Sequence, residues 1–180
     1  MVRSTPIEPL AVPLSDDVVK IRLRQISDLD AIAAASHDPD TRRWLQDPPM
    51  DAEARRTSMA RVEEAWRSGQ SAPLVIADAA TDEPVGIINL QFREEDISTI
   101  AYSVFPGNRG RGIAPRAVRL VTGWAFHDLK LTQLVLEADE GNAASIRVAE
   151  KCGFERVDSR TESKPDGVRH TTVVFSRSTP

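Results

Sequence analysis

The stretch VVKIRLR (Val18–Arg24) alternates Val19, Ile21 and Leu23 with Lys20, Arg22 and Arg24. That period of two predicts a strand with one buried face. Helical signals follow: Ser27 as a cap with Asp30 three residues on, then Asp38-Pro39 as cap and first helical residue, then Asp51. The third of these helices is predicted to run to about Arg67, with Met59, Val62 and Trp66 on one face and Gly69 as its stop. The period then changes. PLVIAD, PVGIINLQF and ISTIAYSVF are short apolar runs separated by AATDE and REED, which predicts an antiparallel meander. Ala114, Ala117, Val118, Val121 and Ala125 recur at helical spacing and predict a long amphipathic helix ending near His127. QLVLEA reads as a strand, NAASIRVAEKCG as a short helix stopped by Gly153, and FERVDSR and HTTVVFS as two strands around a polar loop, Thr161–Arg169. The result is one mixed α/β (α+β) domain of about seven strands over residues 17–180, preceded by an irregular segment, 1–16, interrupted by Pro6, Pro9 and Pro13.

Composition changes this picture little. The chain has 180 residues, 41% hydrophobic and 28% charged, as expected for one globular domain with a single core. A net charge of −4 removes the basic footprint expected of a nucleic-acid binder. No apolar run approaches the ~20 residues of a membrane span, and the proline-broken N-terminus lacks a signal-peptide core, so no membrane partner and a cytoplasmic location are expected. Cys152 is the single cysteine, which rules out an intrachain disulfide, and three dispersed histidines give no metal-ligand spacing, so no metal is expected.

The most informative stretch is PGNRGRGIAPRAV, Pro106–Val118, where three glycines and three arginines lead into the long helix. Glycines let backbone approach a ligand without a Cβ in the way. A helix N-terminus offers N–H groups and about half a positive charge. Arg109 and Arg111 add forked donors. Such a loop fits a phosphate; it also fits a plain turn with solvated arginines. No Lys-Ser/Thr follows the glycines, which argues against a nucleoside-triphosphate loop, and Pro115 breaks the dinucleotide pattern.

Arg109-Gly110-Arg111-Gly112-Ile113-Ala114 resembles the Q/R-x-x-G-x-G/A coenzyme A loop of the GNAT superfamily of N-acetyltransferases. Leu136–Phe154 resembles that family's downstream segment, with Asn142, Ser145, Lys151, Gly153 and Phe154 in place. RWL with DPP near Arg43, and IAYSVFP, resemble the RimJ/RimL-like branch that acetylates ribosomal-protein N-termini. The resemblance covers about residues 18–176. It implies a seven-stranded, mostly antiparallel sheet splayed between its fourth strand (STIAYSVF) and its fifth (QLVLEA), with helices on both faces. It further implies acetyl-CoA as cosubstrate, its pantetheine in the splay beside Val104 and near Asn142, and its pyrophosphate on the amides of residues 110–114. The acceptor would be an amine, either a small molecule or a protein N-terminus, attacked directly in a ternary complex. A homodimer, common among relatives, is left open.

For chemistry, the resemblance offers Glu137 as general base and Ser145 as the donor to the departing thiolate. Both also have plain readings, a strand salt bridge and a first-turn backbone bond. The usual family tyrosine, seven residues after the Asn, is here Ala149, and the usual fourth-strand acid is Thr99. Pro115-Arg116 stands where the branch often has Thr-Glu; a reach to the coenzyme phosphates is one role for Arg116. Tyr102 reads as strand packing, Trp44 as core or acceptor-pocket wall, and His170 as the start of the last strand, with a place facing the acceptor pocket as its minor alternative. The alternative function is an acyl-CoA-binding sensor of the same fold that turns nothing over.

Overall fold

The computed structural model describes residues 5–45, 47–163, 165 and 167–180. The first four residues of the N-terminal segment, Gln46 of the RRWLQDPP stretch, and Lys164 and Asp166 of the polar loop therefore lie outside the described residues.

The strands are β1 (Leu14–Ser15), β2 (Val19–Arg22), β3 (Ser71–Asp78), β4 (Pro84–Phe92), β5 (Ile97–Val104), β6 (Gln133–Asp139), β7 (Glu155–Ser163) and β8 (Arg169–Ser178). They form one sheet in the order β1-β2-β3-β4-β5-β6-β8-β7. Every pairing is antiparallel except β5 with β6. The helices are α1 (Leu29–Ser36), α2 (Pro39–Trp44), α3 (Ala52–Ser68), α4 (Ile113–His127) and α5 (Ala143–Lys151).

Alternation along β3 shows how the sheet divides its core. Leu74 and Ile76 belong to the main cluster with Trp66 of α3, Val118 and Val121 of α4, and Val148 of α5. Val75, between them, joins Ile32 and Ala35 of α1 on the opposite face. Helices thus cover both faces, as expected. Burying each such aliphatic side chain stabilises by about 1.5–3 kcal/mol.

Three local readings are revised. The N-terminal segment is not wholly irregular: Leu14 and Ser15 pair with Ile21 and Lys20, adding a short eighth strand at the sheet edge. Ile7 is buried, and its amide donates to the Trp66 carbonyl, which fastens the segment to the end of α3. The entry to α1 is not capped by Ser27. Asp28 ends a 3-10 turn, accepts from the Gln25 amide and makes a two-pronged pair with Arg22 at 2.8 and 2.9 Å. The polar loop is also shorter than expected, because β7 extends to Ser163.

One irregularity matters most. The parallel pairing of β5 with β6 is confined to Ile97–Thr99 and Gln133–Val135. Beyond it, residues 100–104 and 136–139 part company, and the sheet opens below the N-terminus of α4.

Candidate active site

Gly107, Gly110 and Gly112 all adopt left-handed backbone, with φ of +84°, +73° and +72°. Only glycine takes this conformation without strain, so the loop needs them for its path. A Cβ at any of the three would meet nothing within 4 Å, which leaves the cradle open on its outer side. Gly112 is the N-cap of α4 and has no side chain, so none caps that helix. The first-turn amides face outward into a positive helix end. Pro115 sits in that first turn, where its missing N–H costs no helix bond.

A cavity of about 470 Å³ lies beside this cradle, walled by Val104, Gly110, Ile113 and Asn142 among others. Of the residues expected in the site, Val104, Arg109, Gly110, Gly112, Ile113, Ala114, Asn142 and Ser145 line it; Arg111 and Glu137 do not. Arg111 is exposed and donates to Asn108 Oδ1 at 2.9 Å.

The Asn-x-x-Ser spacing has a local cause. Asn142 is the N-cap of α5, and its Oδ1 accepts from the Ser145 amide at 3.1 Å. This bond places Ser145 in the first turn, facing β5. There its hydroxyl lies 3.1 Å from the Tyr102 hydroxyl. Tyr102 is therefore more than strand packing. It lines the cavity, and burial pushes its phenol up to about 12, although the Ser145 bond acts in the opposite direction. The pair is neutral and donating at any ordinary pH. Tyr102 is the only tyrosine, and its alternation with Ile100 already put it on the face of α4 and α5; that was the available signal.

Glu137 is half-exposed and held through Oε1 by Arg160 of β7. Leu136 and Ala138 point into the main core, so Glu137 faces the other side of the sheet, that of α1. Asp139 shares this face, and its Oδ2 lies 3.4 Å from His170 Nδ1. Trp44 of α2 is a cavity wall, and its ring lies near Gly141, where a Cβ would be 3.6 Å from it. The Arg43 guanidinium stacks over that ring at 4.6 Å.

The arginines of the loop have partners of their own. Arg109 donates to Val104 O at 3.2 Å, Asp38 Oδ2 at 3.0 Å and Thr41 Oγ1 at 2.8 Å, so its side chain ties the loop to the start of α2. Arg116 turns to Asp16 and Asp17, at 2.9 and 3.0 Å. Cys152 is buried and donates to the Pro115 carbonyl; burial pushes its thiol up, and outweighs the opposing pull of the Arg119 and Arg177 charges. Among the described residues, no cluster of His, Cys, Asp or Glu is arranged to hold a metal ion, and no helix is long and apolar enough to cross a membrane.

A profile of the acetyltransferase (GNAT) domain matches residues 20–155. The chain belongs to the GNAT acetyltransferase family. This GNAT chain is 32% identical over 120 residues to the probable N-acetyltransferase YjcK of Bacillus subtilis; the match covers 64% of the chain and 66% of that relative's length. Its fold is that of the ribosomal-protein-S5-alanine acetyltransferase from Vibrio fischeri, with a TM-score of 0.77 at 18% identity over 93% and 96% of the two chains. It is equally that of the spermidine N-acetyltransferase from Vibrio cholerae, solved with CoA and spermine, with a TM-score of 0.78 at 15% identity over 89% and 95%. At such identities the likeness is one of fold.

Proposed function

We propose that the protein transfers an acetyl group from acetyl-CoA to a primary amine by direct attack in a ternary complex, in the cytoplasm and without a metal. The observation that carries this reading is the opening of the sheet beside the glycine cradle, with different chemistry on its two faces. The amides of Gly110, Gly112, Ile113 and Ala114 suit the coenzyme's diphosphate, and the strand edge at Val104, whose carbonyl now accepts from Arg109 Nε, suits its pantetheine arm once that bond is exchanged. Acetyl-CoA supplies an activated thioester. Holding both reactants in one cleft removes much of the entropic barrier, on the order of 7–11 kcal/mol in well-oriented reactions.

Ser145, backed by Tyr102, lies on the α4–α5 side and is our donor to the departing sulfur. Glu137 lies on the α1 side and is our base for the incoming amine. The amine's proton and the sulfur's proton are thereby handled by two different groups, one for addition to the thioester carbonyl and one for collapse of the tetrahedral intermediate. Asn142 fixes Ser145 by capping α5. Trp44 and Leu45 of α2 form the acceptor wall, open to a small amine or to a protein N-terminus; the Asn142–Ser145 spacing favours the ribosomal-protein branch.

Thiol release from acetyl-CoA over a panel of amines and N-terminal peptides tests this. Release with at least one acceptor is expected, together with protection against heat by acetyl-CoA and not by ATP. Saturation at about 100 times the dissociation constant stabilises by roughly 2.7 kcal/mol. Glu137→Gln should abolish the acidic limb of the kcat/KM profile; an unaltered limb removes Glu137 as base. The grip of Arg160 on Glu137 favours one second reading, binding without turnover, for which protection without thiol release on any amine is the signature.

A further inference from the structure

β6 gives way to α5 through the turn Asp139–Asn142, and one carboxylate shapes that passage. Asp139 Oδ1 accepts from the Gly141 amide at 2.8 Å, and the Asp139 carbonyl accepts from the Asn142 amide at 2.8 Å. An aspartate that binds the amide two residues on closes a turn by itself. Its other oxygen is committed as well, since Oδ2 lies 3.4 Å from His170 Nδ1 of β8. Between these anchors the Glu140 amide donates to the Thr171 carbonyl at 2.8 Å, so the turn is also fastened to β8. Two parts of the site lean on it. Asn142 caps α5 and thereby fixes Ser145, which meets Tyr102. Gly141 meets Trp44, for a Cβ there would lie 3.2 Å from Asp139 Oδ1 and 3.6 Å from the Trp44 ring. Gly141 is not among the left-handed glycines, so crowding and not backbone conformation accounts for its lack of a side chain.

We propose that Asp139 is a positioning residue of the acetyl transfer: its carboxylate, anchored by His170, holds the turn that aims Ser145 at the departing sulfur and leaves room for Trp44 at the acceptor wall. This rests on the proposed role of Ser145 as donor. Asp139 does not line the cavity, so it acts through the backbone between it and Ser145 and not by contact with the reactants. Nor is its charge what the turn uses, although Glu137 shares its face of the sheet. The turn needs an acceptor at the Oδ1 position, and the amide oxygen of an asparagine supplies one. The amide nitrogen would then face His170, whose ring accepts through Nδ1 in its other tautomer. Alanine at 139 supplies neither anchor.

Thiol release from acetyl-CoA with the fastest amine of the panel, together with amide hydrogen exchange, tests this on the full chain. Asp139→Ala should lower kcat by about tenfold, the loss expected of a hydrogen bond to a charged group, with the dissociation constant for acetyl-CoA unchanged. Asp139→Asn should recover to within about threefold of wild type. In a Ser145→Ala background the Asp139→Ala change should cost less than about twofold. Gly141→Ala keeps the carboxylate but crowds it and the Trp44 ring, so it should raise the acceptor KM; it carries the test if Asp139→Ala does not fold. Glu140→Ala, at an exposed acid of the same turn, should match wild type. Exchange needs no turnover: the Ser145 amide should exchange about tenfold faster in Asp139→Ala and at the wild-type rate in Asp139→Asn, with α4 unchanged. Ser145→Ala at full rate would overturn the donor role and this one with it. With Ser145→Ala slow, an Asp139→Ala enzyme of wild-type rate, an asparagine variant as slow as the alanine, or multiplicative losses in the double variant would overturn this inference alone. So would an unchanged Ser145 amide, a Glu140→Ala enzyme as slow as Asp139→Ala, or a Gly141→Ala enzyme with the wild-type acceptor KM.

Discussion

Tyr102→Phe removes one hydroxyl and, with it, the 3.1 Å bond to Ser145. On the proposed mechanism that bond orients the Ser145 proton toward the departing sulfur. A neutral hydrogen bond contributes about 0.5–1.5 kcal/mol. At 1.36 kcal/mol per tenfold, Tyr102→Phe should lower kcat by about 2- to 12-fold. Ser145→Ala removes the donor itself, and a positioned proton donor contributes roughly 10²- to 10⁴-fold. Since Tyr102 acts through Ser145, its loss should matter little once Ser145 is gone. The double variant should match Ser145→Ala within about twofold, and the interaction energy of the cycle should equal the whole cost of the Tyr102 change. Steady-state thiol release on the four proteins, each shown folded by denaturant unfolding, measures this. The phenol, raised to about 12 by burial, stays protonated across the assay range, so wild type should show no alkaline fall in kcat near pH 10 from this pair. Strictly multiplicative effects, or a Tyr102→Phe enzyme slower than Ser145→Ala, would refute the relay.

Gly112→Ala introduces strain at φ +72° but no clash, so it should cost roughly 1–2 kcal/mol of stability while acetyl-CoA still binds; Gly112→Asp adds a negative charge at the cradle and should abolish calorimetric binding, and equal affinities for the two would argue against an anion there. Asp28→Asn leaves the buried Arg22 without its two-pronged carboxylate and should cost about 3 kcal/mol in urea unfolding, the low end for a broken buried pair because Asp82 still accepts from Arg22 Nε at 2.9 Å. Acid should weaken the fold through specific aspartates. Burial by itself would raise Asp16, but the amides of Val19 and Val18 and the Arg116 guanidinium hold it below the ordinary carboxylate value; the Thr41 amide and Arg109 do the same for Asp38. A depressed carboxylate stabilises above its unfolded value near 4 and loses that contribution as pH falls through the folded value, so the melting temperature should drop below about pH 4, and Asp16→Asn should flatten the drop.

What the sequence revealed follows sequence separation. The cap of α5 joins residues three apart, and its Asn-x-x-Ser spacing was readable as a motif because a helix N-terminus imposes it. The glycine loop was readable because left-handed backbone demands glycine residue by residue. The long apolar patterns of β3, β4 and α4 declared their periods. By contrast, Tyr102 and Ser145 are 43 residues apart, Glu137 and Arg160 are 23, and Arg109 and Asp38 are 71. No local pattern announces such contacts, so Tyr102 passed for packing and the salt bridge of Glu137 remained one of two readings. β1 is two residues long, too short to show a period, and α2 is too short to show which side of Trp44 is covered.

The arginines of the loop make the same point in electrostatic terms. Counted along the sequence, Arg109, Arg111 and Arg116 look like a basic grip on phosphate. In the fold, Arg109 and Arg116 are balanced by aspartates from the chain's first forty residues, while Arg111 donates to the neutral side chain of Asn108 and feels the charge of Asp78. On the proposed reading, the attraction for a diphosphate then rests first on backbone amides and the helix end, which cannot turn away. Pairs this exposed contribute about 0–1 kcal/mol, so an arriving anion can draw a guanidinium from its carboxylate at small cost. For Arg109 that exchange would not be neutral in space. The same side chain holds the start of α2, and α2 carries Trp44, a wall of the cavity. Coenzyme and acceptor wall would thus share one guanidinium, which ties occupancy of the cradle to the shape of the space where the amine must enter.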